Sequence, residues 1–208
     1  MRWNARLAAG ALTLAVIGGS LVFGSQVAGA AGINGTGALG TCPTAGTFKF
    51  KPPLVTTATS TSDTISISSA NTGGSCSGAS GDGLHVSGSQ SKGTQTTSSN
   101  ACVGSTATST LHLTVKWKTD GTVKLNPSTI TVTSSTRGAS SDGHETVMST
   151  GSVTAGSFSG DSFTSSVKTD QTISTLTAEC GKKGVKSVTF GLVAGSDGVK
   201  GSGTSTIS

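Results

Sequence analysis

Apolar residues recur at every second position over short segments of the chain. The clearest segment is 111–118, where Leu111, Leu113, Val115 and Trp117 alternate with polar residues. Alternation of this kind is typical of a β-strand with one buried and one solvated face. Because Trp117 shares the parity of three aliphatic residues, we predict that its ring points into the core.

The same period of two predicts further strands, and Gly, Ser, Asn and Asp clusters separate them. The predicted strands are 47–51, 64–68, 84–86, 111–118, 123–125, 130–133, 146–153, 157–167 with a break near 160, 173–180, 185–192 and, with a weaker pattern, 201–207. The polar segments 87–99 and 134–143 are predicted as long loops or edge strands. After residue 30, apolar residues never follow helical spacing over three turns, so no helix longer than a turn or two is expected.

About ten short strands joined by turns predict an all-β protein. The expected fold is an antiparallel β-sandwich, immunoglobulin-like or jelly-roll-like, with one core. Serine and threonine number 35 each in 208 residues, which suits solvated strand faces. A chain of this length with no Pro-rich or charged linker fits a single domain.

The first 30 residues have the features of a secretory signal peptide. Arg2 and Arg6 precede an apolar stretch at 7–23, and the small residues 28–30 suit signal peptidase. The alternative is a membrane anchor, but the stretch is short and interrupted by glycines. We therefore expect a signal peptide at 1–30, a flexible lead-in at 31–41 and one β-sandwich domain at 42–208. The mature protein is expected outside the cell or at the cell envelope.

Four cysteines remain after the predicted cleavage: Cys42, Cys76, Cys102 and Cys180. An even number in an exported protein predicts two disulfides, and four cysteines allow three pairings. The predicted strands 47–51 and 64–68 are consecutive, so Cys42 and Cys76 fall at the same end of a hairpin. The preferred pairing is Cys42 with Cys76 and Cys102 with Cys180.

The charge pattern argues against a nucleic-acid partner. The net charge is +5, and it falls to +3 without Arg2 and Arg6. The lysines mostly alternate with apolar residues, whereas nucleic-acid binding needs a dense basic stripe with stacking aromatics. We expect no nucleic-acid partner, and no membrane contact after signal cleavage.

Groups able to perform acid–base or metal chemistry are scarce, with nine Asp and Glu residues and three His. The densest polar cluster holds Asp142, His144 and Glu145, and His85 and His112 are the other histidines. Their spacing matches no known ligand set, so we interpret them as surface loop residues. The sequence therefore predicts no catalytic residue, no cofactor and no metal site.

Calcium and glycan sites are also weakly supported. Asp161, Asp170 and Asp197 could ligate calcium, but we assign them to turns because no dense acidic loop surrounds them. With Trp117 predicted in the core and no tyrosine in the chain, a flat aromatic platform for sugar rings cannot be assembled.

Several short motifs together resemble a group of small secreted actinobacterial proteins of unknown function. They are Cys42 followed by the segment 46–54 (GTFKFKPPL), a second cysteine after one hairpin, Lys116 with Trp117, and the segment 156–161 (GSFSGD). The resemblance implies an extracellular location and an immunoglobulin-like β-sandwich. It implies no catalytic residues.

We expect a secreted, non-enzymatic structural or interaction module of the cell envelope or extracellular space. The alternative is a binding module for a cell-wall glycan or a partner protein, acting through segments 87–99 and 134–145. A hydrolase or a protease inhibitor is a third interpretation, in which the segment between Cys76 and Cys102 would be the reactive loop. The partner and the oligomeric state stay open.

Overall fold

The computed structural model describes residues 32, 34–36, 39–57, 63–72, 76, 86–99, 102, 106–107, 110–120 and 123–208. The predicted signal peptide at 1–30, residues 31, 33, 37 and 38 of the lead-in, and His85 lie outside these residues. The described residues form ten strands and one helix. The elements are β1 (Gly40–Leu54), β2 (Asp63–Asn71), β3 (Val86–Ser99), β4 (Thr106–Ala107), β5 (Leu111–Thr119), β6 (Ser128–Ala139), β7 (His144–Ala155), β8 (Ser162–Thr172), α1 (Ile173–Cys180), β9 (Val185–Phe190) and β10 (Ser202–Ile207).

Eight strands form a closed antiparallel barrel in the order β1, β2, β3, β5, β6, β7, β8, β10. The barrel closes where residues 40–44 of β1 pair with residues 203–207 of β10. The prediction of a β-sandwich is therefore wrong. A period of two shows that each strand has one buried face, but two facing sheets and one closed sheet give the same pattern.

The long strand β1 changes partner along one edge. Its first part pairs with β10, and residues 46–54 pair with β9. Phe190 lies where the partner changes, and a Cβ atom on Gly46 or Gly203 would lie 2.8 or 2.9 Å from its ring. The absence of side chains at these two glycines therefore leaves room for the Phe190 ring in the barrel wall.

Two polar segments belong to the barrel. Residues 87–99 lie in β3, which pairs with β2 on one side and β5 on the other, so this segment is neither a loop nor an edge strand. Residues 134–139 extend β6 and pair with β7. Among the described strands, residues 134–139 pair with β7 alone, because the pairing of β6 with β5 ends at Val132, so this part of the segment is an edge strand, one of the two predicted alternatives. Backbone pairing lets both strands form with few apolar residues, which hid them from the hydrophobic pattern.

The segment 173–180, predicted as a strand, is the helix α1. Thr172 caps it by accepting a hydrogen bond from the Thr175 N–H at 3.2 Å. Leu176 and Cys180 are buried four residues apart, on the same face of the helix. The Thr-rich composition suggested a strand, but the cap and this spacing favour a short helix. The predicted strand at 123–125 is also wrong, because only Leu125 makes a β-bridge there.

One end of the barrel, called the filled end, is packed with Leu39, Trp117, Leu125 and Phe158. The Trp117 and Phe158 rings meet edge to face, with centroids 5.2 Å apart. The Trp117 Nε1–H donates to the Ser128 hydroxyl at 2.8 Å. The prediction that Trp117 points into the core is confirmed.

The disulfides hold the two ends of the barrel. Cys42 is bonded to Cys76 at the filled end, and Cys102 is bonded to Cys180 at the other end, as preferred from the sequence. Cys102 follows β3 and Cys180 ends α1, which continues from β8. The Cys102 N–H donates to the Val55 carbonyl oxygen at 3.1 Å, and the Cys180 Sγ lies 3.7 Å from the Leu54 carbonyl oxygen, so this bridge lies beside the C-terminal end of β1. We call this the helical end. Its core residues are Leu54, Leu176, Cys180, Val185 and Val188.

Candidate functional site: the barrel lumen

A cavity of about 80 Å³ lies inside the barrel, lined from all eight barrel strands and from β9. One water needs about 10–15 Å³ of such volume, so the cavity has room for roughly five to eight water-sized atoms. An eight-stranded barrel is just wide enough either to be filled by side chains or to hold one small ligand. The lumen is therefore suited to hold a small molecule.

Two sides of the cavity are mainly apolar, with Thr44 on β1 as the polar exception. Strands β5 and β6 contribute aliphatic side chains, and β1 and β9 contribute two aromatic rings whose centroids are 5.3 Å apart. The aliphatic residues are Leu111, Leu113, Val115, Ile130 and Val132, and the aromatic residues are Phe48 and Phe190. A guest between these sides would contact mainly carbon.

Serine hydroxyls occur on the other two sides, together with the apolar side chains of Ile67, Phe163, Val167 and Ile207. Ser69 on β2 and Ser91 on β3 are register partners, and their hydroxyls hydrogen-bond to each other at 2.5 Å. Ser89 lines the same wall, two residues before Ser91. Across the cavity, Ser165 on β8 is the register partner of Ser205 on β10.

Three of these hydroxyls are available to a guest. Within the described part of the chain, the side chains of Ser89, Ser165 and Ser205 hydrogen-bond to no other protein group, and none of the three oxygens is fully buried. Each residue is half-buried although it lines the lumen, so its remaining accessible surface faces the cavity. A hydroxyl withdrawn from water without a partner costs about 1–3 kcal/mol, so these groups favour water or a ligand beside them.

The cavity wall is uncharged: none of the described side chains that line it is acidic or basic, and Cys42 has no free thiol because it is bonded to Cys76. Moving an ion from water to such a site would be unfavourable because no counter-charge awaits it. The site therefore suits an uncharged molecule.

His144, predicted in a surface loop, is fully buried at the helical end, so that prediction is wrong. It is the first residue of β7. Its Nδ1 lies 2.8 Å from the Thr169 carbonyl oxygen, and its Nε2 lies 2.8 Å from Asp197 Oδ2. Both partners offer oxygen atoms that accept hydrogen bonds from the ring. The Val199 N–H, together with His144, holds the pKa of Asp197 below its usual value.

The other polar residues near His144 have separate partners. Asp142 accepts from the Ser140 hydroxyl and from Lys168 Nζ, the latter at 2.9 Å, and these contacts lower the pKa of Asp142. Glu145 pairs with Arg137. Among the described residues, no group of three His, Cys, Asp or Glu side chains is placed to hold a metal ion. The cluster seen in the sequence does not form a common site.

Asp170, predicted in a turn, is instead a fully buried residue of β8, so that prediction is also wrong. Its carboxylate accepts four backbone hydrogen bonds from the loop between β9 and β10. The donors are the N–H groups of Gly191 at 2.8 Å, Gly201 at 2.9 Å, Leu192 at 3.1 Å and Val193 at 3.3 Å. Asp170 thus fixes the loop that begins directly after Phe190 in the lumen wall.

Comparison with known proteins adds no family or function: no protein family, curated protein or solved structure matches the chain. In the part of the chain that the structure describes, no helix has the length and apolar character needed to cross a membrane.

Sequence reasoning missed the lumen serines because inward polar residues break the pattern that marks a strand. Ser89 and Ser91 do lie at alternate positions, with Gly93 and Gln95 continuing the series. That period of two in small and polar residues was the available signal.

Proposed function

We propose that the protein is an exported, non-enzymatic binding protein that holds one small uncharged molecule in the barrel lumen. The observation that carries the proposal is the set of three available hydroxyls, from Ser89, Ser165 and Ser205, in an otherwise largely apolar cavity of about 80 Å³. Ligand sites commonly combine an apolar lining with a few polar groups that fix orientation.

Export is supported by the two disulfides, which fit an oxidising environment, and by the signal-like features of residues 1–30. The non-enzymatic part rests on how the buried polar groups are used. His144, Asp170 and Asp197 hold strands and loops at the helical end. We assign them to structure on that basis.

The sequence suggested a glycan or a partner protein as the alternative ligand, bound by 87–99 as a surface loop. As part of β3, this segment directs Ser89 and Ser91 to the lumen. Two of the side chains that were candidates for surface binding therefore lie inside the barrel, where they favour a small guest. This is why we propose small-molecule binding ahead of the surface alternatives.

Trp117 provides the test. It lines the cavity, the only other tryptophan is Trp3 in the predicted signal peptide, and the chain has no tyrosine. A bound guest should therefore change the Trp117 emission of the mature protein saturably. Suitable uncharged probes are cyclohexane, tetrahydropyran and 1,4-dioxane.

Two leucine variants separate lumen binding from surface binding. Ser165→Leu places a larger side chain in the cavity, whereas Ser166→Leu adds the same side chain to the exposed face of β8. We expect Ser165→Leu to abolish the saturable response and Ser166→Leu to keep it. No saturable response to any probe, or an equal response in both variants, would contradict lumen binding.

A further inference from the structure

We infer that the lumen selects an uncharged six-membered ring with oxygen atoms at two opposite edges, the chemistry of a cyclic diether, diol or lactone. This inference rests on the proposed function, because it specifies what the lumen binds. It follows from the positions of the available serine hydroxyls on opposite strands of the barrel.

The two hydroxyl walls face each other. In the ring of eight strands, β3 and β8 are four places apart in both directions. Ser89 and Ser91 line the cavity from β3, and Ser165 lines it from β8 with Ser205 beside it on β10. Because the cavity is only about 80 Å³, a guest that fills it contacts both walls. Its polar atoms are therefore expected on opposite edges.

The two mainly apolar walls lie between the walls that carry serine hydroxyls, and the serine-bearing strands β8 and β10 add the apolar side chains of Phe163, Val167 and Ile207. Strands β5 and β6 follow β3 and carry the aliphatic lining, with Val115 and Ile130 among it. Across the cavity, β1 and β9 carry the rings of Phe48 and Phe190. A ring-shaped guest can place its two carbon faces against these walls and its oxygens toward the serines.

The volume of the cavity and its uncharged lining limit the class of ligand. The cavity admits on the order of six ring atoms by the volume that each water-sized atom needs. Its lining carries no side-chain charge. Serine hydroxyls both donate and accept, so they can pair with ether, carbonyl or hydroxyl oxygens. These limits favour small oxygenated rings over acids, amines and long chains.

The test uses probes of equal ring size that differ in oxygen content. Cyclohexane has no oxygen, tetrahydropyran has one, and 1,4-dioxane has two at opposite positions. Binding is measured on the mature protein by titration of the methyl NMR shifts of Leu113 and Val115, which line the cavity. The double variant Ser165→Ala with Ser205→Ala removes the two available hydroxyls of one wall.

We expect this double variant to weaken 1,4-dioxane binding about five- to tenfold, as loss of one hydrogen bond would. Cyclohexane affinity should stay unchanged or rise. The variant Ser89→Ala, on the opposite wall, should also weaken 1,4-dioxane binding without weakening cyclohexane binding. The matched control is Ser166→Ala, which removes an exposed hydroxyl on the outer face of β8 and should affect neither probe.

The outcomes distinguish this inference from the proposed function. If 1,4-dioxane and cyclohexane both bind the wild type and the double variant changes their affinities equally, the ligand class is wrong and lumen binding stands. If neither probe shifts the lumen methyls, both proposals are overturned. If the double variant does not fold, the single variants Ser165→Ala and Ser89→Ala decide on the same criterion. Selective loss of 1,4-dioxane affinity supports the inference.

Discussion

The buried carboxylate of Asp170 offers the sharpest stability prediction. Each of its oxygens accepts two backbone hydrogen bonds: Oδ1 from Gly191 and Gly201, and Oδ2 from Leu192 and Val193. The variant Asp170→Asn keeps the shape of the side chain but replaces one oxygen with an NH₂ group. Whichever oxygen is replaced, two backbone donors lose their acceptor.

The expected loss of unfolding free energy is about 3 kcal/mol. Each buried donor left without an acceptor costs about 1–3 kcal/mol, and partial relaxation of the loop reduces the sum for two donors. For a domain of this size, 1 kcal/mol corresponds to roughly 2–4 °C in Tm, so Tm should fall by roughly 6–12 °C. Urea unfolding followed by Trp117 fluorescence measures the change directly.

The control for Asp170→Asn is Glu179→Gln, which removes the same charge from an exposed position on α1. It should change stability by no more than about 0.5 kcal/mol, as surface substitutions usually do. A loss in Asp170→Asn as small as that of the control would refute the reasoning. It would mean that the four hydrogen bonds do not hold the loop between β9 and β10.

Two further predictions concern the helical end. Replacing Cys102 and Cys180 by serine removes a bridge across 78 residues, so the free energy of unfolding should fall by about 4 kcal/mol. Probes should also enter and leave the lumen faster, as measured by NMR exchange. An unchanged exchange rate would show that the bridge does not restrict access to the lumen. The Val199 N–H and His144 lower the pKa of Asp197 in the folded state, so its stabilisation is present above about pH 4 and is lost as pH falls. The free energy of unfolding should therefore fall less steeply between pH 6 and pH 2 in Asp197→Asn than in the wild type. Equal slopes in the two proteins would contradict this.

The sequence predicted the local features that depend on neighbouring residues. Alternation located β5 and placed Trp117 on its buried face, because each strand shows its own burial pattern. The hairpin argument also paired Cys42 with Cys76, since β1 and β2 are adjacent strands. These inferences needed no knowledge of how distant strands meet.

Features that depend on distant strands were not predictable in the same way. Closure of the barrel requires β1 to pair with β10, about 160 residues along the chain, and nothing in either strand specifies that partner. His144 and Asp170 are buried by contacts with Asp197 and with the loop after Phe190. A polar residue looks the same in a sequence whether water or a distant backbone satisfies it.

The lumen shows the same limitation. Ser89 on β3 and Ser165 on β8 appear in the sequence as ordinary hydroxyl residues of a Ser-rich chain. Their common feature, an inward position on opposite walls, exists only once the barrel has closed. The proposed function therefore depends on the closed topology more than on any short motif.

The central claim is that a small uncharged molecule occupies the lumen. The most direct measurement is a set of intermolecular NOEs between 1,4-dioxane and the methyl groups of the mature protein. We predict NOEs to Leu113, Val115 and Ile130, which line the cavity, and their loss in Ser165→Leu. NOEs only to exposed side chains such as Met148 and Val193, or no NOEs at saturating probe, would contradict the account.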